Sequence, residues 1–122
     1  MTTYLLATDS VHATAAGCDY LGGRLDPGDS VLALAVVEDG GNAVGGEEAR
    51  DVADALNVAE VRLSGAVETE RREGDPADAI LAAAAEHAVD EIVLVDDESG
   101  AGSTIEAVRE GADRPVRVVS PP

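Results

Sequence analysis

Three short runs of this chain are apolar from end to end: Tyr4-Leu-Leu-Ala7, Val31-Leu-Ala-Leu-Ala-Val-Val37 and Ile92-Val-Leu-Val95. A strand with one face on water alternates polar and apolar residues, so a strand without alternation is buried on both faces. Stretches of helical periodicity separate the runs, and the alternation of strand with helix predicts a parallel sheet covered by helices on both sides. The runs also end abruptly. Asp9 and Ser10 follow the first, and Asp96, then Gly100-Ala-Gly-Ser-Thr104, follow the last. In open parallel sheets ligands sit at the carboxyl ends of the strands, beside helix N-termini. Asp9, Ser10 and residues 96–104 are therefore the first candidates for function.

The whole chain reads as a single domain over 1–122. A first strand spans 3–8, and Ser10 is placed to cap a helix running to about Arg24. Asp26-Pro-Gly-Asp29 is a turn, because Pro presets one backbone angle and Gly supplies the left-handed one. A second strand follows at 31–37, and residues 38–46, with four glycines, read as an exposed loop. Ala49, Val52, Ala53, Leu56, Ala59 and Leu63 recur at three-four spacing, which predicts a helix from Glu47 to about Ser64, ended by Gly65. The third strand, 66–72, carries Glu68, Glu70, Arg71 and Arg72 and so belongs at a sheet edge. Asp75-Pro76-Ala-Asp78 is a helix start, with Asp75 as cap and Pro76 at the first helical position. Ile80, Leu81, Ala84 and Ala88 are expected to face inward from that helix. The fourth strand is 92–95. Ser103-Thr-Ile-Glu106 fits a capping box opening a short helix that ends before Gly111, and 116–119 form the fifth strand. With right-handed crossovers, the polar strand at one edge and the apolar strands central, the strand order is 3-2-1-4-5. Chain direction then reverses between strands 1 and 4, and a crevice opens between their carboxyl ends.

Composition narrows the partners. Among 122 residues there are 25 carboxylates against eight basic groups, a net charge of −17, and every basic residue is arginine. Nucleic acid is excluded on sign, since its affinity comes from basic groups neutralising phosphates. No stretch is apolar enough to span a membrane, and no basic region precedes an apolar one at the N-terminus, so the expected location is cytoplasmic. An acidic surface without lysine resembles that of halophilic proteins. At about 1 M salt the Debye length is roughly 3 Å, so most carboxylate repulsion is screened. The single Cys18 cannot form an internal disulfide and reads as a small buried residue.

Each candidate has two readings. Gly100-Ala-Gly-Ser-Thr104 is a small anion nest or a tight turn with a helix cap. Asp9 is a ligand group or a structural cap of its turn. Asp96, Asp97 and Glu98 can hold Mg²⁺ or Ca²⁺ through oxygen, or form a solvated acidic loop. His12, two residues into the first helix, reaches a phosphate or lies on the helix surface. No nucleophile, histidine and acid stand in a triad-like spacing, and no Cys/His cluster suggests zinc, so catalysis finds little support.

Five segments, taken in order, resemble the universal stress protein family. They are Tyr4-Leu-Leu-Ala-Thr-Asp-Ser10, Pro27 to Glu38, Arg72-Glu-Gly-Asp-Pro-Ala-Asp-Ala-Ile-Leu81, Gly102-Ser103-Thr104, and Arg114-Pro-Val-Arg-Val-Val119. The resemblance implies an adenine nucleotide alpha hydrolase-like, Rossmann-like α/β fold and a homodimer through the C-terminal strand, Val116 to Val119. In the family's nucleotide-binding branch it places Asp9 by the adenosine, the Val36 backbone at the adenine edge, and Gly102, Ser103 and Thr104 at phosphate. That branch has two glycines separated by two residues, then nine residues, then Gly with Ser or Thr. Here only Asp96-Asp-Glu-Ser-Gly-Ala101 lies between Val95 and Gly102. The resemblance thus implies a non-catalytic stress-response domain with a reduced crevice. Two alternatives stay open: an ATP- or AMP-binding protein, with Mg²⁺ and slow hydrolysis, that uses the shortened Gly100 to Thr104 loop, or another nucleotide-fold module of flavoprotein-related or transporter-associated type.

Overall fold

The computed structural model describes residues 2–8, 11–37, 47–63, 67–96 and 102–119. The expected Ser10 cap, the 38–46 loop and Gly65 lie outside them. Nine elements alternate in the expected sequence: β1 (Thr3–Thr8), α1 (Val11–Gly22), β2 (Ser30–Val37), α2 (Glu47–Arg62), β3 (Val67–Glu73), α3 (Pro76–Glu86), β4 (Glu91–Val95), α4 (Gly102–Gly111) and β5 (Val116–Val119). The strands form one sheet in the order β3-β2-β1-β4-β5, with every neighbouring pair parallel.

Burial explains the absence of alternation in the central strands. Leu5 and Leu6, adjacent on β1 and pointing to opposite faces, are both 0% exposed, as are Ile92 and Val93 on β4. Leu5, Leu32, Leu34, Ile92 and Leu94 pack on one face against Ala77, Ile80, Ala83 and Ala84 of α3 and Ile105 and Val108 of α4. Leu6, Val31, Ala33, Val93 and Val95 pack on the other against Ala16, Cys18 and Leu21 of α1 and Ala59 of α2. Each fully buried aliphatic side chain stabilises by about 1.5–3 kcal/mol relative to exposure, which is how a chain without Phe or Trp builds its core. Small residues let the helices approach. A Cβ on Gly17 of α1 would overlap the Leu6 Cδ1 methyl, so any larger residue there would have to displace that methyl.

Turns and helix ends follow the local chemistry. In the Asp26–Asp29 turn Gly28 has φ 95°, and the Asp29 amide donates to the Asp26 carbonyl at 3.0 Å. Asp75 caps α3 through its side chain, with Pro76 in the first turn. Three expectations need correction. α4 begins at Gly102, so Ser103 lies inside its first turn and is not the cap. Gly111 is the last residue of α4, where a Cβ would meet Leu81 Cδ1 at 2.7 Å and would have to displace that methyl, and the chain turns only after it. Ala88 does not face inward. α3 stops at Glu86, and Ala88 follows with φ 50°. The Val89 amide reaches the Ala84 carbonyl at 3.1 Å and the Ala88 amide the Ala85 carbonyl at 3.3 Å, a Schellman closure usually made with glycine. Ala83 takes the inward place expected of Ala88, while Leu81 is half-buried.

Candidate functional site

The sheet does not stay zipped along its whole length. β1 pairs with β2 over six positions, from Thr3–Ser30 to Thr8–Ala35. It pairs with β4 over only three, Tyr4–Glu91, Leu5–Ile92 and Leu6–Val93. β1 then continues to Thr8 and β4 to Val95 without further pairing between them among the described residues. The two strands therefore part at their carboxyl ends, at the position where the strand order reverses. This parting is the crevice expected of the topology.

The candidate residues distribute around it as follows. Val36 stands at the carboxyl end of β2, beside Arg72 of β3, half-buried with Ala7 on the α3/α4 face of the sheet. Gly102, Ser103 and Thr104 form the first turn of α4, which packs on that same face. Thr104 is half-buried. These groups come together at one end and one face of the sheet, on either side of β1. Asp9, Ser10 and Gly100 lie outside the described residues, as do Asp97 and Glu98. The first-turn N–H groups of a helix have no partner within it and its dipole favours negative charge. β4 joins α4 through only six residues, 96–101. Among the described residues no group of three carboxylate, histidine or cysteine side chains could hold a metal ion.

The edge strand β3 is held by charge. On β3, Arg72 bonds Glu70 and reaches Glu86 of α3 at 2.7 Å. Glu70 also meets His87 Nε2 at 3.2 Å. The Arg72 guanidinium, and then His87, hold the Glu70 carboxyl below its usual range, and Arg72 does the same for Glu86. The cluster ties the polar edge strand to the end of α3, which composition alone did not reveal; Glu70 and Arg72 at i and i+2 on one strand face were the signal. Burial pushes the Cys18 thiol up to about 11, so at neutral pH it is an inert core residue, as its helix position suggested.

No protein-family model and no curated protein sequence matches this sequence. Solved structures do resemble the fold. The hypothetical protein MJ0577 superposes with a TM-score of 0.80 at 17% identity, covering 99% of this chain and 96% of the other. A universal stress protein in complex with cAMP gives 0.71 at 19%, covering 98% and 96%. A universal stress protein family protein from Arabidopsis thaliana with AMP bound gives 0.72 at 14%, covering 100% and 93%. The fold of this chain is thus the universal stress protein fold.

Proposed function

We propose that the chain is a universal stress protein acting as a non-catalytic, homodimeric regulatory domain of the cytoplasm, with a crevice reduced so that it does not hold ATP as the family's nucleotide-binding branch does. The observation behind this reading is the combination of a parted β1–β4 end with a six-residue β4–α4 connection. The crevice is present, but the chain that would wrap a triphosphate is short. Asp96, Asp97 and Glu98 begin that connection. Their repulsion of phosphate is screened in molar salt, whereas missing backbone donors have no substitute. Among the described residues no helix is long and apolar enough to cross a membrane.

A second reading follows from the neighbours with AMP and cAMP: the crevice takes an adenine nucleotide with a single phosphate. Val36 would then border the base, Asp9 and Ser10 the ribose side, and residues Gly100 to Thr104 the phosphate. One preparation separates the readings. Protein purified in molar KCl is denatured and the supernatant chromatographed at 260 nm. The first reading expects no stoichiometric nucleotide, the second expects a monophosphate, and stoichiometric ATP contradicts both.

The homodimer rests on β5. This edge strand of four residues has Val116 and Val118 half-buried on the α3/α4 face and Val119 half-buried on the other, with Arg117 exposed. An apolar edge leaves N–H and C=O groups that a second copy satisfies by two-fold pairing. Light scattering in molar KCl should give a dimer at tens of micromolar and a monomer for Val118→Asp. A monomeric wild type, or a dimer indifferent to Val118→Asp, would end the proposal.

A further inference from the structure

The two edges of the sheet differ in what a second chain would have to strip of water. β3 carries Glu68, Glu70 and Glu73, whereas β5 carries no carboxylate. The contrast extends beyond the strand. Residues 105–122 hold three carboxylates and three arginines, so the whole net charge of −17 lies on residues 1–104. Asp113, the carboxylate nearest β5 in sequence, is already bonded to Arg114 at 2.8 Å. Salt screens repulsion between exposed charges, but it does not remove the cost of desolvating a carboxylate. A like-charged copy is therefore best received by the sector of α4 and β5.

Backbone direction on β5 limits how that copy pairs. The Ile92 amide donates to the Pro115 carbonyl at 3.0 Å and the Asp96 amide to the Val119 carbonyl at 2.8 Å. Both carbonyls point to β4, and the direction alternates along a strand, so Arg117 also turns its backbone groups inward. Val116 and Val118 turn theirs outward, where β5 ends the sheet. Two-fold pairing that continues the sheet sets residues of the same face opposite each other, so the dyad falls on a residue. A dyad at Val116 or Val119 overlaps the two strands by a single residue. A dyad at Arg117 brings two arginines into the close pair, with Cα atoms about 4.5 Å apart, where like charges destabilise. A dyad at Val118 exchanges the outward hydrogen bonds of Val118 with its own counterpart. It sets valine on valine on the α3/α4 face. On the other face the Arg117 stem lies on Val119 of the second copy, with the charged head free to reach water.

We infer that a second copy of this chain docks antiparallel on β5 with the dyad at Val118, a register set by Arg117; this rests on the homodimer proposed above. The test mixes equal parts of ¹³C-labelled and unlabelled protein in molar KCl, so that isotope-filtered NOE spectra report contacts between copies alone. Contacts of Val118 with Val118 and of Arg117 with Val119 are expected. Contacts of Val116 with Val118 would overturn the register and leave the dimer standing, whereas a monomer by light scattering would sink the dimer itself. In Arg117→Ala the competing register opens, and contacts between Val116 and Val118 should appear; an unchanged spectrum would show that Arg117 does not set the register. Val118→Asp places two carboxylates directly opposite and Val116→Asp does not. The first should raise the dimer dissociation constant about tenfold more than the second. Equal losses would contradict a dyad at Val118, because a dyad at Arg117 makes the two positions equivalent.

Discussion

The two ends of the sheet are built on opposite plans. At the amino end the starts of β1, β2, β4 and β5 are stitched to their neighbours. The Ser30 amide bonds the Thr2 carbonyl, the Asp90 amide the Thr3 carbonyl, and the Ile92 amide the Pro115 carbonyl. Asp29 and Asp90 then receive the amides of Thr2 and Thr3, and the Arg114 guanidinium spans the carbonyls of Ala84 and Val89, each at 2.8 Å. At the carboxyl end β1 and β4 stop pairing at Leu6–Val93, and the helix that follows β4 opens on a glycine. A chain that secures one end of a parallel sheet with side-chain bonds can leave the other end parted without losing register. Side-chain bonds are concentrated at one rim, and at the other the pairing of β1 with β4 stops short of the strand ends among the described residues.

The harshest way to break this contrast is to remove salt. With a net charge of −17, repulsion grows as screening falls and opposes the compact state at both ends alike. Circular dichroism across a KCl series should show folded protein in molar KCl and loss of structure toward a few millimolar. An unchanged melting temperature over that range would end the halophilic reading.

A more selective break is Arg114→Ala. It leaves two carbonyls at the end of α3 without their charged donor, and loss of such bonds costs about 2–3 kcal/mol. Chemical unfolding in molar KCl should show that loss, with no change in whatever the carboxyl-end crevice binds. A loss below about 0.5 kcal/mol, the usual size for a surface substitution, would show that the amino end is not the secured one.

The smallest effect expected is on acid stability. Asp29 has its carboxyl lowered by the bonds from Asp26 and Thr2. A carboxyl lowered in the folded state stabilises fully above its unfolded value, near pH 4, and that contribution is lost as pH falls through the folded value. Asp29→Asn removes it. The variant's unfolding midpoint should therefore fall less steeply than the wild type's as pH drops below about 4. Equal slopes would contradict the role given to Asp29.

The sequence was informative where one physical rule acts alone. Unbroken apolar runs in β1, β2 and β4 announced strands buried on both faces, the charges of β3 put it at an edge, and Asp26-Pro-Gly-Asp29 specified its turn. It was less informative where two rules compete. Ser103 looks like a helix cap because Glu106 stands three residues on, yet the helix takes in Gly102 as well. Ala88 fits the inward periodicity of α3, but the Schellman closure ends the helix first. The parting of β1 from β4 follows from the topology as a place, while its extent is set by pairing geometry that no residue spells out. Of the carboxyl-end candidates, Val36 and residues Gly102–Thr104 fall at the same end and face of the sheet; Asp9, Ser10 and Gly100 remain part of the proposal.

The most direct test of a crevice that is parted but shortened is calorimetric titration with ATP and with AMP, in molar KCl with and without Mg²⁺. The account predicts no tight binding of ATP and no gain from Mg²⁺, with any measurable heat confined to AMP. Tight, Mg²⁺-dependent ATP binding that is lost in Asp9→Ala would contradict it.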